Sequence, residues 1–268
     1  MGEGGAHETP GKQAGEGRTM RKACFLRWIV VGGSLLGVAF PAEAGVKFRF
    51  PSPDRTLFAS RVVLGMDHDG GEGTSIFGAG IRCENYEGKG FPHCYNGHEG
   101  TDYLLLGGFE TMDAGSARVV AAAAGWVTAA VDGNYDHCHA AIRGRDVTCD
   151  GHPIEPNFVA IEHPDGIVSY YFHLKKGSVL VEVGQWVECG TPVGLVGSSG
   201  YSALPHLHFG VTDAQGNPID PYHRDPAESL WVVQDGGDGF PGGECAPSPS
   251  LPEPRENRSD RPVEGDTD

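Results

Sequence analysis

The chain has 268 residues, of which 39% are hydrophobic and 21% charged, enough for a sizeable folded core and against disorder throughout. Twenty Lys and Arg face 36 Asp and Glu, a net charge of −16, which excludes the basic footprint of a nucleic-acid binder and the polybasic stripe of a protein docked on anionic lipid. The 42 glycines and 19 prolines favour short strands and turns over long helices.

Residues 1–19 are polar, Gly-rich and aperiodic, which predicts a disordered leader or, if translation starts at Met20, untranslated sequence. From Met20 the pattern changes. Arg21, Lys22 and Arg27 form a positive stretch, and Trp28 to Phe40 supplies 13 apolar residues. Ala42-Glu43-Ala44 follows with small residues at signal-peptidase spacing, so 1–44 reads as an N-terminal extension with a secretory signal cleaved after Ala44. Spanning a bilayer takes about 20 apolar residues, so no membrane anchor is expected after cleavage. The mature chain is expected in the periplasm or outside the cell. Six cysteines remain there: Cys83, Cys94, Cys138, Cys149, Cys189 and Cys245. An even count in an exported chain suggests disulfides. Local pairs Cys83–Cys94 and Cys138–Cys149 are the first expectation, and Cys189–Cys245 follows by elimination.

Residues 45–82 are expected to be a β-rich N-terminal segment, with alternation at Val46 to Phe50 and a strand within Leu57 to Leu64. Asp67 to Glu72 superficially suggests a calcium loop. Gly71 at the fifth position and the lack of a Glu at the twelfth favour an acidic turn instead. Residues 83–233 are the expected folded core. Short Val-rich runs lie at Ala117–Ala122, Gly125–Val131, Phe158–Glu162, Val168–Phe172, Val179–Val183, Pro192–Val196 and His206–Val211. Asp165-Gly166 between two of them signals a hairpin. No segment sustains a 3.6-residue period over three turns, so the fold is predicted to be all-β and antiparallel. Residues 234–268 are Pro-, Gly- and acid-rich and are expected to be a disordered tail, tethered by Cys245.

The 12 histidines carry the functional signal. His206 and His208 stand at i and i+2 in Pro205-His206-Leu207-His208-Phe209, which in a strand puts both imidazoles on one face, about 6.6 Å apart along the chain. A second pattern is His98-Glu99-Gly100-Thr101-Asp102. Gly97, Gly100 and the Asp at the second ligand position argue against a helical His-Glu-x-x-His zinc motif with Glu99 as general base. The better reading is His-x-Gly-x-Asp on a turn, with His98 and Asp102 as metal ligands and Glu99 exposed. Two histidines and one carboxylate leave a fourth metal position open for water.

Three segments resemble the ordered motifs of the lysostaphin-like (LytM-type) zinc endopeptidases. Tyr95 to Asp102 is similar to the family's His-x-x-x-Asp motif, Tyr171-Phe172-His173-Leu174 to its Tyr-x-His-Leu motif, and Pro205 to Phe209 to its His-Leu-His-Phe motif. Val187 to Gly200 resembles the glycine-rich hairpin that precedes the last of these. The resemblance spans roughly residues 91–222. It implies an antiparallel sheet with an open groove, of duplicated-hybrid-motif type. It also implies one Zn2+ held by His98, Asp102 and His208, with His173 and His206 as catalytic histidines. The implied activity is hydrolysis of peptide cross-links or bridges in peptidoglycan, by a protein expected to be a monomer. The alternative is a non-catalytic relative that binds the wall and activates another hydrolase; such relatives generally lack some of these five residues. The sequence departs from the family at Gly210, where many members carry Glu, at Ala203-Leu204 in place of Thr-Gly, and in an insertion from Asp136 to His152.

The remaining histidines read as structural. His137, His139 and His152 around Cys138 and Cys149 suggest a second zinc site, but a disulfide loop with solvated histidines is the preferred reading. His163 and His223 are read as structural, and His68 and His93 have no evident partner. Ser198 and Ser199 lack the context of a nucleophile elbow. Cys189 as a nucleophile is rejected in favour of a disulfide. The hairpin at residues 184–200 lacks the lysine of a biotin or lipoate carrier.

Overall fold

The computed structural model describes residues 45–68, 95, 97–141 and 146–247. The expected signal segment, His93, Cys83 and Cys94 lie outside these residues. Among the described residues eleven strands run in chain order: β1 Phe58–Leu64, β2 Gly100–Leu105, β3 Arg118–Val120, β4 Gly125–Val131, β5 His139–Ala140, β6 Val147–Thr148, β7 Phe158–Glu162, β8 Val168–Phe172, β9 Trp186–Val187, β10 Pro192–Leu195 and β11 His206–Thr212. The only described α-helix is the five-residue α1, Phe109–Asp113. A seven-stranded sheet has the order β1-β2-β11-β8-β7-β4-β9, and every neighbouring pair in it is antiparallel. The all-β antiparallel expectation is met.

The strands form because their side chains alternate. On β11, Leu207, Phe209 and Val211 are buried, whereas His206 and His208 point to the other face. On β2 the core-facing residues are Thr101, Tyr103 and Leu105; on β8 they are Ser169 and Tyr171; on β7, Val159 and Ile161. Asp165-Gly166 makes the turn between β7 and β8, with Gly166 at φ 82°, a conformation costly for a residue with a Cβ.

Segments at both ends of the described chain complete the core. Phe48, Phe50, Trp231 and Phe240 are buried in the same cluster as Tyr103 and Phe209. Their rings meet edge-on: Phe48 lies 5.6 Å from Phe209 and Phe50 lies 4.9 Å from Tyr103, the geometry ring quadrupoles prefer. The first part of the 234–268 segment is therefore packed, and a Cys189–Cys245 disulfide anchors it. Cys138–Cys149 is the second disulfide among the described residues, so two of the three expected pairs are formed.

Three local expectations need correction. Val179–Val183 is not a strand. Val181 is buried while Leu180 and Val183 are exposed, but Leu180 N–H to Val193 O (3.1 Å) is the backbone bond it makes to β10, too little for a ladder. The His98 motif is not on a turn: Gly100 and Asp102 lie in β2, between β1 and β11. The glycine-rich segment turns at Glu188–Thr191, but its two arms pair elsewhere, β9 with β4 and β10 with β3.

Candidate metal centre and active site

The sheet register brings the motifs together. His208 is opposite Asp102 of β2 on one side and Phe172 of β8 on the other. His206 is opposite Leu104, and His173 directly follows β8. His98 precedes β2 by two residues. Asp102 Oδ1 lies 2.8 Å from His208 Nδ1, 3.1 Å from His98 Nε2 and 3.4 Å from His206 Nε2. His98 Nε2 and His208 Nδ1 are 3.1 Å apart. Among the described residues His98, Asp102 and His208 are the group whose donor atoms, all within 4.8 Å of one another, could hold a metal ion. His173 stands beside them, its ring 4.6 Å from that of His206 and 5.9 Å from that of His208.

Backbone carbonyls set the tautomers. His98 Nδ1 is 2.6 Å from Gly65 O, His173 Nδ1 is 2.6 Å from Ser199 O, and His206 Nδ1 is 2.7 Å from Leu204 O. A carbonyl only accepts, so each of these nitrogens carries a hydrogen, and each neutral ring offers its Nε2 lone pair. His173 adopts φ 63°, a left-handed conformation uncommon outside glycine. It is held there by Gly197 N–H to His173 O (2.9 Å) and by Leu174 N–H to Asn157 O (3.0 Å).

Burial and mutual charge divide the group electrostatically. Burial opposes the charge on Asp102, but His98 and His206 outweigh it and hold the carboxyl well below its usual range. Burial pushes His173 well below the usual imidazole value, and His206 and His208 add to this, so it is neutral. Burial also lowers His208, in spite of Asp102. His206 is raised: burial works against its proton, but the Asp102 carboxylate prevails. Burial, then Asp102, raises the Tyr95 hydroxyl, whose ring stacks on His98 at 4.2 Å.

All five expected residues meet at one place. Several supporting groups had no legible signal, because they act through the backbone: Gly65, Ser199 and Leu204. Asp67, read as part of an acidic turn, braces the His98 loop; its carboxylate accepts from Gly97 N–H (2.8 Å) and its own N–H donates to His98 O (2.7 Å). His68 has a partner after all, Asp220 at 2.7 Å. The other described histidines lie apart from the cluster. His163 is buried and uses both nitrogens, on Ala124 O (2.8 Å) and Ser169 Oγ (3.0 Å). His137 is shared between Asp136 (2.8 Å) and Asp113 (3.0 Å), and Cys138 and Cys149 are oxidised, so no second zinc cluster forms there.

The fold and the site together define an antiparallel β protein with a His–Asp–His donor set and two further imidazoles on one sheet face. Residues 97–221 match the Peptidase family M23. Among similar proteins is the peptidoglycan DD-endopeptidase ShyB of Vibrio cholerae, 35% identical over 82 residues, 31% of this chain and 18% of that protein. Lysostaphin of Staphylococcus simulans is 31% identical over 97 residues, 35% of this chain and 18% of its own. The murein hydrolase activator EnvC of Escherichia coli is 41% identical over 63 residues, 24% of this chain and 14% of its own. The matches thus span less than a fifth of each relative's length.

Proposed function

We propose that the chain is an exported zinc metallo-endopeptidase that hydrolyses peptide bonds in the cross-links or bridges of bacterial peptidoglycan. The observation that carries this reading is the convergence of five side chains, His98, Asp102, His173, His206 and His208, on one sheet face. The donors fit zinc: two imidazole nitrogens and a carboxylate oxygen already lie within 4.8 Å of one another. The Gly65 carbonyl fixes the tautomer that turns the His98 Nε2 lone pair toward Asp102, as an outer partner of a metal ligand does. When bound by His98, Asp102 and His208, zinc supplies Lewis acidity at the scissile carbonyl.

The remaining steps belong to the side chains. His206, its Nδ1–H committed to Leu204 O, offers Nε2 to take a proton from the attacking water. His173, neutral and tied to Ser199 O, accepts at Nε2 and orients the same water. The substrate class rests on the similarity to proteins named peptidoglycan endopeptidases. Export rests on that class and on the expected signal in residues 1–44. No described helix is long and apolar enough to cross a membrane.

The similarity to a murein hydrolase activator supports a second reading, a wall-binding protein that stimulates another hydrolase. The complete five-residue set favours the enzyme. Incubating the purified protein with defined muropeptides, with mass spectrometry of the products and metal analysis in parallel, tests both readings. The enzyme releases cleaved peptides, and chelation stops it until zinc is restored. Full activity in metal-free protein overturns the zinc reading. No cleavage, but stimulation of a second hydrolase, favours the activator.

A further inference from the structure

The insertion 136–152 lies against the loop that holds both proposed catalytic histidines. That loop, residues 197–204, supplies the Ser199 and Leu204 carbonyls to which His173 and His206 donate. Its serines Ser198, Ser199 and Ser202 are fully buried, unusual for hydroxyls unless each is bonded. Ser199 Oγ accepts from Asn157 N–H (2.9 Å) and donates to Leu174 O (2.9 Å).

The other two serines connect His206 to the insertion. Ser198 Oγ–H donates to Cys138 O at 2.7 Å. Ser202 Oγ lies 2.8 Å from Ser198 Oγ and 2.9 Å from Leu204 O, two acceptors for its single hydrogen. Ser202 Oγ, 3.2 Å from His206 Nδ1, is then free to share the hydrogen of that nitrogen with Leu204 O. The result is a continuous run of polar contacts from His206 through Ser202 and Ser198 to the backbone of Cys138. Three backbone bonds fix the same junction: Ser198 N–H to Asp136 O (3.0 Å), Cys138 N–H to Ser198 O (2.9 Å) and Ala140 N–H to Ala203 O (2.9 Å).

Within the insertion β5 pairs with β6 and Ala141 N–H donates to Asp146 O (2.9 Å), and Tyr135 Oη donates to Asp150 (2.7 Å). The insertion's own apolar cluster consists of Cys138, Val147 and Cys149, with Tyr135 and Ala203 packed against it. The Cys138–Cys149 bridge closes the loop around this small cluster. We propose that the disulfide-closed insertion is a positioning element of the active site, orienting His206 through Cys138 O, Ser198 and Ser202, and His173 through Ser199. This rests on the catalytic roles given above to His173 and His206. His98 provides an internal control, because its Nδ1–H is held by Gly65 on the opposite flank.

Two variants test the proposal, Cys138→Ser/Cys149→Ser and, with the bridge intact, Ser198→Ala. In both, kcat is expected to fall about 10- to 100-fold, the scale at which small misplacement of a catalytic group acts, while KM and bound zinc change less than about twofold. Imidazole N–H signals in nuclear magnetic resonance spectra of the metal-free proteins give a readout apart from activity. Those of His173 and His206 should persist in the unaltered protein. In the bridge variant both should broaden, in Ser198→Ala chiefly that of His206, and that of His98 should stay. Unchanged kcat and spectra in both variants overturn the proposal. So does loss of the His98 signal together with the other two, which marks general loosening. If the unaltered protein cleaves nothing, the functional reading falls, and the spectra still decide the positioning.

Discussion

Asp102 is the hub of the site, since its Oδ1 faces three imidazoles within 3.4 Å while the Tyr95 hydroxyl lies 3.5 Å from its Oδ2. The proposed roles separate His206 from His208 experimentally. His208→Ala should lose zinc and activity together. His206→Ala should keep zinc but lower kcat about 10²- to 10⁴-fold, the usual worth of a proton acceptor. Metal analysis with steady-state kinetics decides, and zinc loss in His206→Ala with retention in His208→Ala reverses the assignment. Local spacing made the histidines legible: i,i+2 puts two imidazoles on one strand face, and ligand chemistry singles out a His and an Asp four apart. The carbonyls that orient them had no such signature, because any residue type supplies one. His163 illustrates a buried histidine with a structural task. It forms a closed chain in which Ala122 N–H donates to Tyr171 Oη (2.7 Å), Tyr171 bonds Ser169 Oγ (3.1 Å) and Ser169 bonds His163 (3.0 Å). Burial lowers its proton affinity, so the unfolded chain takes up a proton the folded one refuses. Its contribution to stability is full above pH ~6.5 and is lost as pH falls from there toward the lower folded value. Thermal melts at pH 7.5 and 5.5 should show a smaller acid loss in His163→Gln, whose amide can serve both neighbours without titrating.

At the scale of elements, the close approach of β2 and β11 makes the site. A Cβ at Gly100 would stand 2.7 Å from His208 Nε2 and 2.7 Å from Phe209 O, closer than atoms approach. Gly100→Ala should therefore weaken zinc binding, measured by metal competition, and cost about 1–3 kcal/mol in denaturant unfolding from overpacking. Unaltered zinc affinity in a folded Gly100→Ala protein would show that the ligand geometry tolerates strand separation. The same strand marks the limit of sequence reading. Gly-Thr-Asp reads as turn chemistry, but the neighbours on both sides, β1 and β11, supply the hydrogen bonds that make it a strand. Val179–Val183 is the converse case, with an alternating pattern and no partner strand to complete it.

At the scale of the whole molecule, stability is shared between ends of the chain distant in sequence. Phe48→Ala should cost about 3–5 kcal/mol, because Phe48 touches Phe209, Trp231 and His163 at once and no neighbour can fill its place. Removing the Cys189–Cys245 bridge should cost about 2–5 kcal/mol without changing zinc affinity, since it ties the 245 end to the turn after β9 and not to the site. Chemical denaturation of each variant measures both. The pairing of β11 with β2 also governs when the site comes into existence. His208 meets Asp102 across 106 residues of chain, a loop that closes late and at high entropic cost. A nascent chain that has not yet presented β11 holds two of the three donors and no base, so the proposed hydrolytic power is absent until folding is nearly complete. The latency of a zymogen is thus written into strand order.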